Sequence, residues 1–254
     1  MRHATVPAFE RGPVPADYPA RDRMSSSWLE FWNGHHRIYV NEVHRRVHYD
    51  RVASDIRALV PSPTAVVVDW GCGDALAAAD VAGACGELLL CDAAENTRLR
   101  VAERLKGEPR IKVVAPDELI RDHAGRVDLM VVNSVLQYLD APSLAGLLAD
   151  ARRLLAPGGS LVIADVIPPA DDLVGDVRNL LATGWRHGFF LAAFSGLAAT
   201  FFSPYRKLRA QVGLARHAEA DLIARLQAAG FKAERLHPNL GFDQRRMAFR
   251  ARPA

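Results

Sequence analysis

The stretch Val66–Leu76, VVVDWGCGDAL, decides how the rest of the chain is read. Three β-branched residues run into an acid, Asp69, and then into two glycines, Gly71 and Gly73, one residue apart. β-Branched residues favour an extended chain. Glycine admits backbone angles and close approaches that other residues resist. An apolar strand that ends on a carboxylate and then sheds its side chains suits a ligand that needs both a near backbone and a negative charge.

Working outward from this turn, seven strand-like runs stand out: Ala65–Trp70, Glu87–Cys91, Ile111–Ala115, Val127–Asn133, Ser160–Val166, Lys232–His237 and Arg245–Ala251. Helical patterns lie between them at Ala75–Ala84, Ala94–Lys106, Ser143–Leu155 and Ala218–Ala229. Strands as continuously apolar as VVVDW, LLLC, LMVVN and LVIADV, alternating with helices, imply a parallel sheet covered on both faces. Right-handed crossovers then make it doubly wound. APGG, Ala156–Gly159, reads as a helix stop and a turn into the fifth strand. Only Pro238–Gln244 separates the last two strands, so these form an antiparallel hairpin. The expected fold is α/β: a seven-stranded, mostly parallel, Rossmann-like sheet ending in an antiparallel hairpin.

Two segments fall outside this sheet. Residues 25–64 read as an N-terminal helical cap. In it Val40, Val43 and Val47 share one helix face, while Arg37, Asn41, His44, Arg45 and His48 share the other. Residues 171–214 read as a helical lid inserted after the fifth strand, within a main domain of residues 65–254. The insertion carries no charge from Gly188 through Tyr205 but is interrupted by Gly196, so a buried or amphipathic lid is expected rather than a membrane span. Its five phenylalanines, among them Phe189, Phe190 and Phe194, read as core or lid rather than as a cofactor box. Residues 1–24, rich in Pro and charge, read as a flexible tail.

The 254 residues carry a formal net charge of +3, with the arginines scattered, and this gives no stripe for nucleic acid. Three cysteines, Cys72, Cys85 and Cys91, contain no CxxC pair, so a zinc site is not expected and reduced thiols in the cytoplasm are. No apolar leader precedes residue 24.

A dinucleotide turn would read G-x-G-x-x-G, but Leu76 holds the third position. Asp69 would also repel a pyrophosphate. An ammonium or sulfonium would suit it. A second acid, Asp92, closes the second strand, where a carboxylate can accept from a ribose diol. The helix expected to start at Asp74–Ala75 would add free N–H groups.

With these residues in place, the chain resembles the class I S-adenosylmethionine (SAM)-dependent methyltransferases. VVVDWGCGDA resembles their first motif, with Ala75 in place of the third glycine. LLLCDA resembles the second-strand motif, VDLMVVNSVLQYL the fourth strand and its turn, and LLAPGGSLVIADV the entry to the fifth. The resemblance is strong over Ala65–Val166 and loose over Ala218–Ala251. It implies SAM as cofactor. Asp69 would organise the methionine end, Gly71, Cys72 and Gly73 would pass the carboxylate and sulfur, and Asp92 would hold the ribose. Ala93 would lie against adenine, Asp117 would meet its amino group, and Asn133 and Ser134 would border the amine and the methyl.

The catalytic candidates are His48, Tyr49 and Tyr138. His44 and His48 either lie on a solvated helix face or cover the pocket. Tyr138 and Gln137 face either the acceptor or the core. Asp92, Asn133 and Ser134 also have the chemistry of helix caps. The run Asn133-Ser134-Val135-Leu136 lacks the Pro-Pro-aromatic sequence of nucleic-acid amino methyltransferases, which disfavours a flipped base. The expected partner is a small, partly apolar acceptor, with no metal and no nucleic acid. A membrane-surface enzyme acting on a lipid-like acceptor is the less favoured reading, a SAM-binding module without turnover is another, and a nicotinamide oxidoreductase is disfavoured by Asp69 and Leu76.

Overall fold

The computed structural model describes residues 26–33, 39, 41–170, 173–190, 192 and 213–254. The expected tail, residues 1–24, and most of the charge-free part of the insertion lie outside these residues.

Seven strands form one sheet: β1 (Val66–Trp70), β2 (Glu87–Cys91), β3 (Ile111–Val114), β4 (Val127–Asn133), β5 (Leu155–Val166), β6 (Phe231–Leu236) and β7 (Met247–Pro253). The order is β3-β2-β1-β4-β5-β7-β6. β1 through β5 pair in parallel, and β7 runs antiparallel to both β5 and β6. The expected doubly wound sheet with a terminal hairpin is therefore the observed one. The chain leaves β1 towards β2 and β3, then returns to place β4 on the opposite side of β1. This reversal opens a crevice at the carboxyl ends of β1 and β4, where such sheets bind ligands.

Each central strand is buried on both faces because its residues divide between two cores. Val68, Leu89, Met130 and Ile163 pack on one side; Val67, Leu88, Leu129 and Val162 pack on the other. Helices α5 (Pro116–His123), α6 (Ala141–Leu154) and α8 (Glu219–Ala228) contribute Leu119, Leu147 and Leu222 to the first core. Helices α2 (Glu42–Leu59) and α3 (Ala78–Ala82) contribute Ile56 and Val81 to the second. Helix α4 (Glu95–Arg104) follows β2, α1 (Ser26–Asn33) lies near it, and α7 (Leu173–Arg186) is the described helix of the insertion.

Four local expectations are corrected. The helix expected over Ala75–Ala84 is only five residues long, Ala78–Ala82. Ala75 sits at φ +43, outside helical geometry, and Arg104 takes the carbonyls of Asp74 and Ala75. Helix α3 therefore does not begin at the glycine turn. Helix α5 was not expected, although Pro116 at its first position and Glu118, which accepts from the Ala115 N–H at 3.3 Å, are start signals. APGG is not a turn before β5 but a break in its pairing: register runs from Val127↔Leu155 directly to Leu129↔Ser160. The hairpin strands are Phe231–Leu236 and Met247–Pro253, because Asp243 accepts from the Arg246 N–H at 3.2 Å and holds Arg245 and Arg246 in the loop.

Among the described residues no helix is long and apolar enough to cross a membrane.

The APGG break generates a test of stability. A Cβ at Gly159 would stand 2.6 Å from the Val127 carbonyl oxygen and 3.0 Å from that of Ala156. Both obstacles are backbone, so relief requires the β4–β5 ladder to shift. Gly159→Ala is expected to lose about 1–3 kcal/mol of stability, read as a lower urea midpoint at unchanged slope.

Candidate active site

The crevice is a cavity of about 950 Å³, walled by the carboxyl ends of the parallel strands, by α2 and by part of α7. Its floor is the turn after β1. Gly71 and Gly73 both have positive φ, +78° and +55°. The N–H groups of Gly71 and Cys72 both donate to the Cys91 carbonyl, at 2.7 and 3.1 Å, which ties the turn to the end of β2. The absence of side chains is required twice over. A Cβ on Gly71 would meet Val135 Cγ2 at 2.5 Å, and one on Gly73 would meet the Tyr49 hydroxyl at 2.8 Å.

Asp92 accepts from the Gly73 N–H at 3.0 Å through one oxygen and from the Ala94 N–H at 2.8 Å through the other. It thus organises the start of α4 and still lines the cavity. Each carboxylate oxygen retains a second acceptor position. Asp69 lies at the end of β1 on the same cavity. Loss of solvation, reinforced by the negative charge of Asp92, pushes its carboxyl up to about 7. The nearby arginines are committed elsewhere: Arg45 holds Asp74 at 2.8 Å, and Arg100 approaches the same carboxylate at 3.8 Å. The Cys72 thiol is buried, and burial beside Asp92 and Asp69 pushes it well up, so it stays protonated.

Helix α2 roofs the turn. Asn41 caps it by accepting from the His44 N–H at 2.8 Å. The Tyr49 hydroxyl accepts from the Asp74 N–H at 2.9 Å. The ring of Tyr39 lies 5.4 Å from that of His48 and 5.9 Å from that of Tyr49. Burial pushes the Tyr39 phenol up to about 12 and also pushes that of Tyr49 well up, so both stay protonated. Burial, then the charge of His44, pushes His48 down to about 4. His48 is therefore a neutral imidazole at neutral pH, with a lone pair that can accept a proton. The polar face of α2 covers the site, while Val43 on the valine stripe is 49% exposed. The crevice beneath is polar, so the helix presents its polar face there and buries Val52, Ala53 and Ile56 farther along.

At the end of β4 the Asn133 amide donates to Ser134 Oγ at 3.2 Å, and Ser134 Oγ donates to Asp165 at 2.6 Å. Tyr138, on a short 3₁₀ turn (Leu136–Tyr138), packs its ring against Trp28 at 4.6 Å and Trp32 at 5.5 Å.

The geometry gathers His48, Tyr49, Tyr138, Asp69, the Gly71–Gly73 turn, Asp92, Ala93, Asn133 and Ser134 around one cavity. Asp117 is not among them. Pro116 begins α5 directly after β3, and Asp117 in its first turn is exposed and away from the cavity. Gln137, read with Tyr138 as facing either the acceptor or the core, lines the cavity, and so does Arg45 of the polar face of α2. Cavity residues that the sequence reading did not single out include Tyr39, Arg100 and Asp165. Asp165 carried a usable signal, since LVIAD is an apolar run ending on an acid, as VVVD and LLLCD are. Tyr39 and Arg100 carried none, because their places depend on contacts across the fold.

Residues 68–161 match the family model described as a methyltransferase domain. The chain carries a methyltransferase domain. No curated protein matches the sequence. Among solved structures, the chain is similar to a complex of DhpI with SAH, at 14% identity and TM-score 0.57, over 90% of this chain and 96% of that one. It is also similar to magnesium protoporphyrin IX methyltransferase from Synechocystis PCC 6803 with bound SAH, at 16% identity and TM-score 0.52, over 90% and 93% of the two chains. A third likeness is to the YcgJ protein from Bacillus subtilis, at 13% identity and TM-score 0.52, over 75% and 71%. At such identities these likenesses establish the fold, a Rossmann-like methyltransferase fold. Among the described residues no group of three or more His, Cys, Asp or Glu could hold a metal ion.

The raised Asp69 carboxyl sets a sign for stability. Its folded value, about 7, exceeds its ordinary value of 3.8, so the folded state holds the proton more tightly. Stability then falls as pH rises from about 4 to 7. Asp69→Asn is expected to stabilise the ligand-free protein on the order of 1–4 kcal/mol at pH 8, with the gain vanishing near pH 4. Urea midpoints of both proteins at the two pH values check this.

Proposed function

We propose that this methyltransferase moves the methyl group of SAM to a small, partly apolar acceptor by in-line transfer. The observation that carries the reading is the pairing of Asp69 and Asp92 across a glycine turn from which side chains are excluded. SAM brings a cationic sulfonium and ammonium on one side and a ribose diol on the other. A cation beside Asp69 offsets the loss of solvation that holds its proton on. The ribose hydroxyls are donors for Asp92, the Gly71–Gly73 turn admits the methionyl portion, and Ala93 leaves room for adenine. Asn133 and Ser134 supply the amide and hydroxyl beside the amine.

The sulfonium activates the methyl, so the protein's task is alignment, which alone can account for several orders of magnitude in rate. The acceptor's lone pair forms a bond to the methyl carbon as the carbon–sulfur bond breaks. That electron pair stays on sulfur, and the acceptor gives up one proton. His48, neutral and lining the cavity, offers a lone pair to take it; held near 4 it is a weak base and acts on a proton made acidic by the transfer itself. Tyr49 is a positioning residue, since its hydroxyl is already occupied by the glycine turn. Tyr138, set against Trp28 and Trp32, shapes the wall. The insertion, through α7, closes the acceptor side.

Calorimetry tests the cofactor assignment. The wild-type protein is expected to bind SAM, and Asp92→Ala to weaken it tenfold or more, since two hydrogen bonds to a carboxylate are worth about 1.5–3 kcal/mol each. Unchanged affinity in a variant that melts normally would remove the ribose assignment.

Proton release tests the pairing of Asp69 with the cation. At pH 6.5 the ligand-free carboxyl is mostly protonated, so SAM binding should expel a proton, seen as a buffer-dependent enthalpy. The effect should disappear in Asp69→Asn and above pH 8.

A further inference from the structure

Helix α2 divides into two halves that are held by different forces. Val52, Ala53 and Ile56 of its second half are buried in the second core. Asp55 adds a long-range tie there, accepting from the Gly241 N–H and from Arg51, each at 2.8 Å. The first half, Glu42–Tyr49, contributes no side chain to either core. Its ring contacts, His44 on Phe189 and His48 and Tyr49 beside Tyr39, join it to segments outside the sheet.

The attachments of this first half to the glycine turn are polar and converge on one residue. Arg45 places Nε and Nη2 on Asp74 Oδ2 at 3.2 and 2.8 Å, and the Tyr49 hydroxyl accepts from the Asp74 N–H at 2.9 Å. Asp74 is anchored in turn to α4, where Arg100 approaches its other oxygen at 3.8 Å and Arg104 takes its backbone carbonyl. Asp74 therefore links α2 to α4 across the turn. The Arg45 and Asp74 side chains are 29% and 27% exposed, so salt in the solvent can reach the pair.

This link stands over the floor of the cavity. Asn41, His44, Arg45, His48 and Tyr49 all line it. The helix lies flush on the turn, since a Cβ at Gly73 would meet the Tyr49 hydroxyl at 2.8 Å. We propose that Asp74 is a positioning residue for methyl transfer: its ion pair with Arg45 latches the first half of α2 over the bound cofactor, and opening of the latch sets the rate at which SAM enters and SAH leaves. The proposal rests on the methyl-transfer reading above and adds how the site closes. A cofactor whose methionine end rests on the turn lies under this half of the helix, which lifts about the second half, held in the core. An ion pair within reach of solvent is weak enough to open on each turnover, as a buried apolar contact would not be. His48 follows Arg45 on the same helix and lines the cavity, so the latch also holds the imidazole in place.

The test uses the full chain. Tritiated SAH bound to the protein is chased with excess unlabelled SAH, and its release is timed at two salt concentrations. The wild-type protein is expected to release SAH severalfold faster at about 0.5 M than at about 0.05 M NaCl. Arg45→Met and Asp74→Asn are each expected to release it about fivefold faster at the lower salt, with the salt effect gone. The double variant should be no faster than either single one, because both remove the same pair. Arg45→Lys, which keeps the charge without the planar fork, should recover the salt effect and part of the slow release. Amide hydrogen exchange in the ligand-free protein gives a readout that does not depend on the cofactor. Arg45→Met should speed exchange over residues 45–49 and leave residues 53–59 protected. A contact that merely supports the fold would lower the melting temperature and leave release and its salt dependence at wild-type values. That result, additive effects in the double variant, or unchanged exchange over residues 45–49 would each overturn the proposal. A wild-type protein that binds neither SAM nor SAH is a separate result: it would remove the cofactor reading, and the exchange measurement would still decide the latch.

Discussion

Crowding around the Gly71–Gly73 turn is the constraint on which the rest of the site depends. The turn passes between Val135 on one side and the Tyr49 hydroxyl on the other, with room for hydrogen but not for carbon at either glycine. Four parts of the fold around the crevice take a grip on it. β2 holds it through the Cys91 carbonyl, and the loop beyond β2 holds it through Asp92. Helix α4 holds it through Arg104, and α2 through Arg45 and Tyr49. A backbone pinned from four directions keeps its shape whether or not a ligand is present, which is the preorganisation a tight small-molecule site needs.

Charge is distributed to match. Six acids, Glu42, Asp69, Asp74, Asp92, Asp165 and Asp243, line the cavity; Arg45 and Arg100 lie on Asp74, and Arg246 on Asp243. Asp69 consequently bears the cost of a carboxylate placed among neighbours that do not neutralise it. A cationic ligand offsets that cost. The same arrangement keeps His48 uncharged and the Tyr39 and Tyr49 phenols protonated, so the roof over the turn is polar yet carries little charge. The neutral hydroxyls of Tyr39 and Tyr49, the imidazole lone pair of His48 and the carboxylates thus share one cavity at separate places.

Much of this was legible in the sequence, because it follows from local rules. Continuous apolar strands imply burial on both faces, and the observed division of Val67 and Val68 between two cores is the physical form of that pattern. Acids ending apolar runs marked Asp69 and Asp92, since a carboxylate there is hard to explain by packing alone. A short Pro-, Asn- and Gly-containing loop forced the last two strands into a hairpin. None of these readings needs knowledge of what lies far away along the chain.

What only the tertiary structure decided is where side chains from distant segments converge. Asp117 looked like a ligand contact by its place after β3, but Pro116 starts a helix there and leaves the carboxylate exposed. The helix expected after the glycine turn shrank to Ala78–Ala82 because Arg104, from another element, captured the carbonyls that would have continued it. The sequence left open whether His44 and His48 of α2 lie on a solvated face or cover the pocket, and the fold places both on the cavity. Asp165 is held by Ser134, 31 positions earlier, and by Asn239, 74 positions later. The sequence by itself determined the mostly parallel sheet, its terminal hairpin and the two acids at the ends of the first two strands, since each is set by neighbours along the chain. The roof and the far wall of the cavity were decided by the fold, because hydrogen bonds and steric contacts between residues far apart in sequence leave no periodicity to read.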